Sequence, residues 1–297
     1  MFKANPNQLK MKNLIFIILF TTSLSAQIKG KVVDEKNSPI AYVNIWVENE
    51  NIGTTANENG EFNINTTADK KLIFTAVGFE TLTSKISENG IITLKTYIEE
   101  LEEVVIGNPK GTEEIELGDL KPIYGGYACV DTPWKIAQFF PNNDTIKKHP
   151  YLKNLTFCTK SEIKKAKIII HFYDVNEDGT PAKDLLDENF VYEVGKGSKK
   201  SVVDLSNLKI KFPKKGLFVG FEWMIIDENI YRFKYTKDGD IIKKNYDGVK
   251  YCPTLKGLKK KIFGICSTWN GKWSKPNRDV EEKYKSRDLA LKLTLTN

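Results

Sequence analysis

From Gly30 to Leu94 the chain alternates apolar and polar side chains in short bursts, each closed by a turn. Val43, Ile45 and Val47 share one parity, while Tyr42, Asn44 and Trp46 share the other. Phe62 and Ile64 follow the pair Asn59-Gly60, and Ile91 to Leu94 follow Asn89-Gly90. Leu72 and Phe74 form another such burst, and Gly78 ends it. A period of two residues places side chains on opposite faces of a sheet, and Asn-Gly is a tight-turn pair. Turns at intervals of roughly 8–12 residues leave no room for long helices. The pattern predicts an antiparallel β-sandwich over residues 27–106.

A leader precedes it. Met11-Lys12-Asn13 is followed by an apolar run, Leu14 to Phe20, and then by small polar residues up to Ala26. A basic start, a short apolar segment and a small-residue cleavage site predict a signal peptide over residues 1–26, with Met1 or Met11 as the start. The run is shorter than the ~20 apolar residues a spanning helix needs, so no transmembrane segment is expected after cleavage. No cysteine follows the cleavage site, which disfavours a lipid anchor. The leader carries Lys3, Lys10 and Lys12 and no acid, so its removal lowers the net charge from +7 to +4. The remaining lysines are scattered in pairs, which fits strand edges and turns better than a nucleic-acid face. The expected localisation is export: periplasm, outer-membrane-associated or extracellular.

Residues 107–125 are rich in Gly, Pro and charge and read as a linker. Residues 126–297 again read as strands. Trp134 to Phe140 favours a strand over a short helix. Ile168, Ile170 and Phe172 alternate with Lys167, Ile169 and His171. Leu217 to Ile226 is apolar on both faces except at Gly220 and Glu222, as a central strand would be. Leu289 to Leu295 alternates so as to leave one wet face. The fold class is therefore all-β, with two β-sandwiches, the second most simply of jelly-roll type.

In the first unit, Gly30, Val32, Asp34, Pro39, Ile40, Val43, Gly53, Thr54, Gly60, Phe62, Gly78 and Phe79 fall in the order of a known pattern. The stretch resembles the carboxypeptidase-like regulatory domain, a transthyretin-like β-sandwich. Asn57 stands where that pattern usually has Asp, and Phe79 where it has Tyr. The resemblance implies a non-catalytic accessory module of bacterial envelope proteins, often preceding TonB-dependent receptors. The segment Glu99 to Ile106, with Glu102, Glu103, Val104, Val105 and Ile106 at its end, is similar to the coupling box of such receptors, a strand offered to a partner edge. It also reads as a last strand plus linker. The residues after it are too few for a barrel of ~22 strands. Parts of the second unit, around Asp178 to Leu186 and Pro213 to Trp223, look similar to jelly-roll modules of exported bacterial proteins.

Chemistry-bearing residues are sparse. Two histidines, His149 and His171, stand outside any ligand spacing, so a zinc peptidase cannot be assembled and no cofactor is expected. Asp174, Asn176, Asp178 and Gly179 mimic a calcium loop, but its twelfth position is Leu185, and an Asp-Gly hairpin turn explains the same residues. Cys252 and Cys266 can close a hairpin by a disulfide, or all four cysteines can be buried thiols. Trp269-Asn-Gly-Lys272-Trp273 reads as a two-residue hairpin that pairs Trp269 with Lys272 and turns Trp273 outward as a binding platform.

The expected function is a non-catalytic accessory or binding protein with a glycan or an envelope protein as partner. Two alternatives stand beside it: a hydrolase using Glu222 with aspartates of the 174–187 region, and an accessory to a TonB-dependent receptor. Paired carboxylates in an open cleft would favour the hydrolase, and an exposed aromatic face would favour binding.

Overall fold

The computed structural model describes residues 27–87, 89–97, 111–236, 246–259, 264–269, 271–275 and 287–297. Residues 1–26 and Glu102 to Ile106 lie outside the described residues, and with them the leader and the partner-strand segment.

The first domain is a sandwich of seven short strands: β1 (Gln27–Val33), β2 (Asn44–Val47), β3 (Gly53–Thr55), β4 (Glu61–Asn65), β5 (Leu72–Thr75), β6 (Leu82–Ser84) and β7 (Ile91–Thr93). One sheet runs β4-β1-β7 and the other β3-β2-β5-β6. The core between them holds Val32, Val43, Ile45, Phe62, Ile64, Leu72 and Phe74, with the Phe62 and Phe74 rings edge to face at 5.9 Å. Gly60 takes the positive φ that the Asn59-Gly60 turn requires. All four residues of β2 are buried, Asn44 and Trp46 included. The polar parity of this strand is covered by the second domain.

That domain consists of two seven-stranded sheets. The first contains β10 (Trp134–Phe140), β12 (Ala166–Val175), β13 (Pro181–Asp184), β14 (Phe190–Val194), β16 (Leu217–Trp223), β19 (Ile265–Trp269) and β20 (Lys272–Ser274). Its order is β13-β12-β16-β10-β19-β20, with β14 also on β12. The second sheet contains β8 (Glu114–Asp119), β9 (Ile123–Cys129), β11 (Tyr151–Ser161), β15 (Gly197–Asp204), β17 (Ile230–Tyr235), β18 (Tyr246–Leu258) and β21 (Leu291–Thr296). Its order is β17-β18-β11-β21-β8, with β15 on β11 and β9 on β18. A short helix, α1 (Asp144–Lys148), is capped by the Asn143 side chain.

Ile136, Phe157, Ile170, Phe172, Val219, Phe221, Trp223, Leu293 and Leu295 fill the space between the sheets. Strand β16 is central, between β10 and β12, and all seven of its residues are buried. Trp134 to Phe140 is a strand, as its alternation indicates.

Two expectations are corrected. The stretch 107–125 is not simply a linker: β8 pairs along its whole length with β21, and β9 begins at Ile123. Ile115 and Leu117 pack on the core while Glu114 and Glu116 face out, so period two operates there too. The last strand has little wet face, because it lies inside the sheet between β11 and β8 and Thr294 and Thr296 are buried.

Candidate functional site

Strand β16 sends Leu217, Val219, Phe221 and Trp223 into the core. Phe218, Gly220 and Glu222 therefore face the opposite side of the sheet. On the same side, Lys135 of β10 lies beside Glu222, and His171 and Tyr173 of β12 lie beside Gly220 and Phe218. This face meets the first domain.

Glu222 is the hub. Its Oε2 accepts from Lys135 Nζ at 2.8 Å and from His171 Nε2 at 2.9 Å. Its Oε1 accepts from the Asn44 amide of the first domain. The other imidazole nitrogen, Nδ1, lies 2.6 Å from Asp184 Oδ2. Asp184 Oδ1 accepts in turn from Leu186 N at 3.1 Å. The His171 and Glu222 side chains are only 1% and 2% exposed. Burial alone would raise the Glu222 pKa, but the Lys135 charge and the His171 bond outweigh it and hold the carboxyl at about 2. Burial opposes charging His171, yet the bonds to Asp184 and Glu222 prevail and its pKa is raised. Tyr173 stacks on His171 at 5.1 Å, and burial, with the two carboxylates, pushes its phenol well above the usual range.

Carboxylates at both ring nitrogens require both to be N–H donors, so His171 is an imidazolium without a basic lone pair. Both Glu222 oxygens are occupied. The residue types are those of acid–base chemistry, but here they are buried and spend their hydrogen bonds on one another and on Asn44. The cluster works as a clasp between the domains. Around it, Ile225 N donates to Thr55 Oγ1 at 3.0 Å, Lys167 Nζ donates to Tyr42 Oη at 3.1 Å, and Asn189 Nδ2 donates to the Ala41 carbonyl at 3.3 Å.

A second feature lies at the sheet edge. Tyr231, Phe233 and Tyr235 stand on one face of the edge strand β17, and Tyr246 of β18 pairs with Tyr235. Ring centroids are 5.9, 6.0 and 5.6 Å apart along the row, and the first two rings are near parallel at 13°. Gly248 lies opposite Phe233, where an added Cβ would come within 2.7 Å of that ring. Lys250 lies 5.7 Å from the Tyr231 centroid and bonds Glu162 at 2.9 Å. The result is a continuous row of four rings, with Tyr235 the most exposed at 40%. The alternation Tyr231-Arg-Phe-Lys-Tyr235 is the sequence signal of this row.

The residues singled out from sequence are dispersed. Trp269 pairs with Lys272 and Thr268 with Trp273, the register of a two-residue hairpin. Lys272 is exposed. Trp273 does face away from the main core, but it is half-buried, edge-on to Tyr173 at 5.5 Å and packed with Ala137, Phe218 and Cys266. It is not an open platform. Asp178 Oδ1 accepts from Thr180 N and Oγ1, Asn176 Nδ2 donates to the Pro181 carbonyl, and Asp174 Oδ1 accepts from Val175 N. The calcium-like residues thus serve a hairpin turn. All four cysteines are free. Cys252 sits between the two sheets while Cys266 packs on the outer face of one of them, so the proposed bridge is not formed.

The first domain has the short strands and turn glycines that its sequence pattern implied, with β1 and β7 paired in parallel where antiparallel pairing was expected, and a family model matches it. Residues 28–106 match the model of the CarboxypepD_reg-like domain family. No curated protein matches the chain. Among solved structures, the chain is similar to the cysteine protease and lectin-like domains of Cwp84, a surface layer associated protein of Clostridium difficile. Identity is 12%, coverage is 87% of this chain and 59% of that one, and the TM-score is 0.38. A clostridial cysteine protease Cwp84 structure after propeptide cleavage is 9% identical over 91% of this chain and 70% of that one, at a TM-score of 0.33. Among the described residues no helix is long and apolar enough to cross a membrane.

Proposed function

We propose that the chain is a non-catalytic, exported accessory protein of the bacterial cell envelope that binds glycan on the aromatic row of β17 and β18. The CarboxypepD_reg-like domain is clasped to the second domain through Asn44 and Glu222 and carries no chemistry of its own. The row supports the binding role: Tyr231, Phe233, Tyr235 and Tyr246 offer apolar ring faces with hydroxyls at hand, which suits the apolar faces and hydroxyl edges of a sugar chain. The hydrolase alternative loses ground because its carboxylates are already engaged: Glu222 is buried and bonded to Lys135, His171 and Asn44, and Asp184, from the 174–187 region, bonds His171 and Leu186 N.

The test is calorimetric titration of the chain with oligosaccharides selected on a glycan array. Phe233→Ala and Tyr235→Ala should abolish the binding heat, while Trp273→Ala should leave it in place. A glycan bound equally by the Phe233→Ala variant, or cleaved by the wild type, would overturn the reading.

A further inference from the structure

Among the described residues, strand β4 is the edge of its sheet, with β1 as its one paired neighbour. Val32 N bonds the Gly60 carbonyl at 2.8 Å, and the pairs Gly30↔Phe62 and Ile28↔Ile64 continue that alternation. In an antiparallel ladder the intervening residues direct N–H and C=O away from the partner. Asn63 and Asn65 therefore present open backbone groups at the edge, while those of Glu61 are closed by Asn57. Edges are usually blunted by Lys, Pro or a bulge. Here β4 reads Glu-Phe-Asn-Ile-Asn and keeps an unbroken register of five pairs with β1.

Glu61, Asn63 and Asn65 are solvent-exposed, and the edge borders an open groove rather than a flat surface. It lines a cleft of about 1040 Å³ between the domains, whose far wall carries Asp131, Asp227 and Glu228. The edge strand β3 lines the same cleft. Its charged side chains are Lys29 and Lys31 against Glu61, Asp131, Asp227 and Glu228, a surplus of two negative charges.

We infer that the cleft is a binding site for an extended, basic peptide segment of another protein, which adds as a strand to β4 through Asn63 and Asn65. Backbone pairing supplies the register, and the acidic far wall selects lysine or arginine on the incoming strand. At ~3.3 Å per residue, β4 offers an edge of roughly 17 Å. This site shares no lining residue with the aromatic row and stands or falls separately.

The experiment uses the whole chain and short fluorescein-labelled peptides that alternate Val with Lys, Thr or Glu. Anisotropy should show the Lys peptide bound and the Glu peptide not. Asn63→Pro removes one outward N–H at a position where an edge strand tolerates proline, and should weaken binding about ten-fold or more. Asp227→Lys, which leaves β4 intact, should shift preference toward the Glu peptide. Amide exchange at Asn63 and Asn65 should slow when the Lys peptide is added, and Phe233→Ala should change none of this. Three results would overturn the proposal: no peptide bound, binding indifferent to peptide charge and to both cleft variants, or a dimer of the chain that Asn63→Pro dissolves, which would give the edge to a second copy.

Discussion

The Asn44 amide donates to the buried Glu222 carboxylate, joining residues 178 positions apart and of different domains. Glu222 also holds Lys135 and His171, so a single carboxylate couples two strands of one sheet to the neighbouring sandwich. Removing one partner of a buried charge network leaves the others uncompensated and costs about 3–5 kcal/mol. Glu222→Ala should lose about that much stability in urea unfolding. Asn44→Ala loses one bond to a charged group, about 1.5–3 kcal/mol. A double-mutant cycle should show coupling above ~0.5 kcal/mol, and simple additivity would mean the bond does not join the domains energetically.

Stability should depend on pH through the same cluster. The His171 pKa is raised in the folded chain, so its contribution is complete below the ordinary 6.5 and is lost as pH climbs through the raised value. Glu222 is held at about 2, so its contribution is complete above the ordinary 4.5 and disappears as pH falls toward 2. Both are fully present between 4.5 and 6.5. Urea midpoints measured across pH should peak in that window. In the His171→Gln variant the alkaline limb should flatten, and an unchanged alkaline limb would show that His171 is not the titrating group.

Much of the fold was legible because period two is local. Leu217 to Trp223 could be read as a central strand from its apolar faces alone. The strand β8 was as plain in Glu114-Ile-Glu-Leu117, but Gly118, Pro122 and Gly125 around it suggested a linker. The clasp was legible only in part. Glu222 on a strand apolar on both faces, and His171 beside Ile169, could be read as enclosed, and the 174–187 range contains Asp184, but no local pattern said that Asn44, Lys135 and His171 would be the partners. Only the docking of β2 brings Asn44 to Glu222 from so distant a place in the sequence. The aromatic row was half legible: Tyr231, Phe233 and Tyr235 alternate visibly, but Tyr246 joins them only through the β17–β18 register.

Cys129, Cys252 and Cys266 are buried and should behave as protected thiols, with half-buried Cys158 the first to react. Burial, with the Asp131 charge, pushes Cys129 up to about 12, and burial brings Cys266 to about 11. A thiol reagent should react slowly with the native chain and titrate four groups in denaturant. Intact mass should be the same with and without reductant. A mass two hydrogen atoms lower, restored by reductant, would show a bridge.

Gly248 sets the geometry of the aromatic row. The Phe233 ring lies over its backbone, and a methyl group there would press within 2.7 Å of the ring. Gly248→Ala should therefore lift Phe233 out of line with Tyr231 and Tyr235 while leaving the β17–β18 backbone pairing in place. Phe233→Leu keeps an apolar side chain at the same position but removes the flat face. If ring alignment is what binds glycan, both variants should lose affinity about ten-fold, or about 1.4 kcal/mol, with far-ultraviolet circular dichroism unchanged. Retained affinity in both would show that the row serves packing rather than binding.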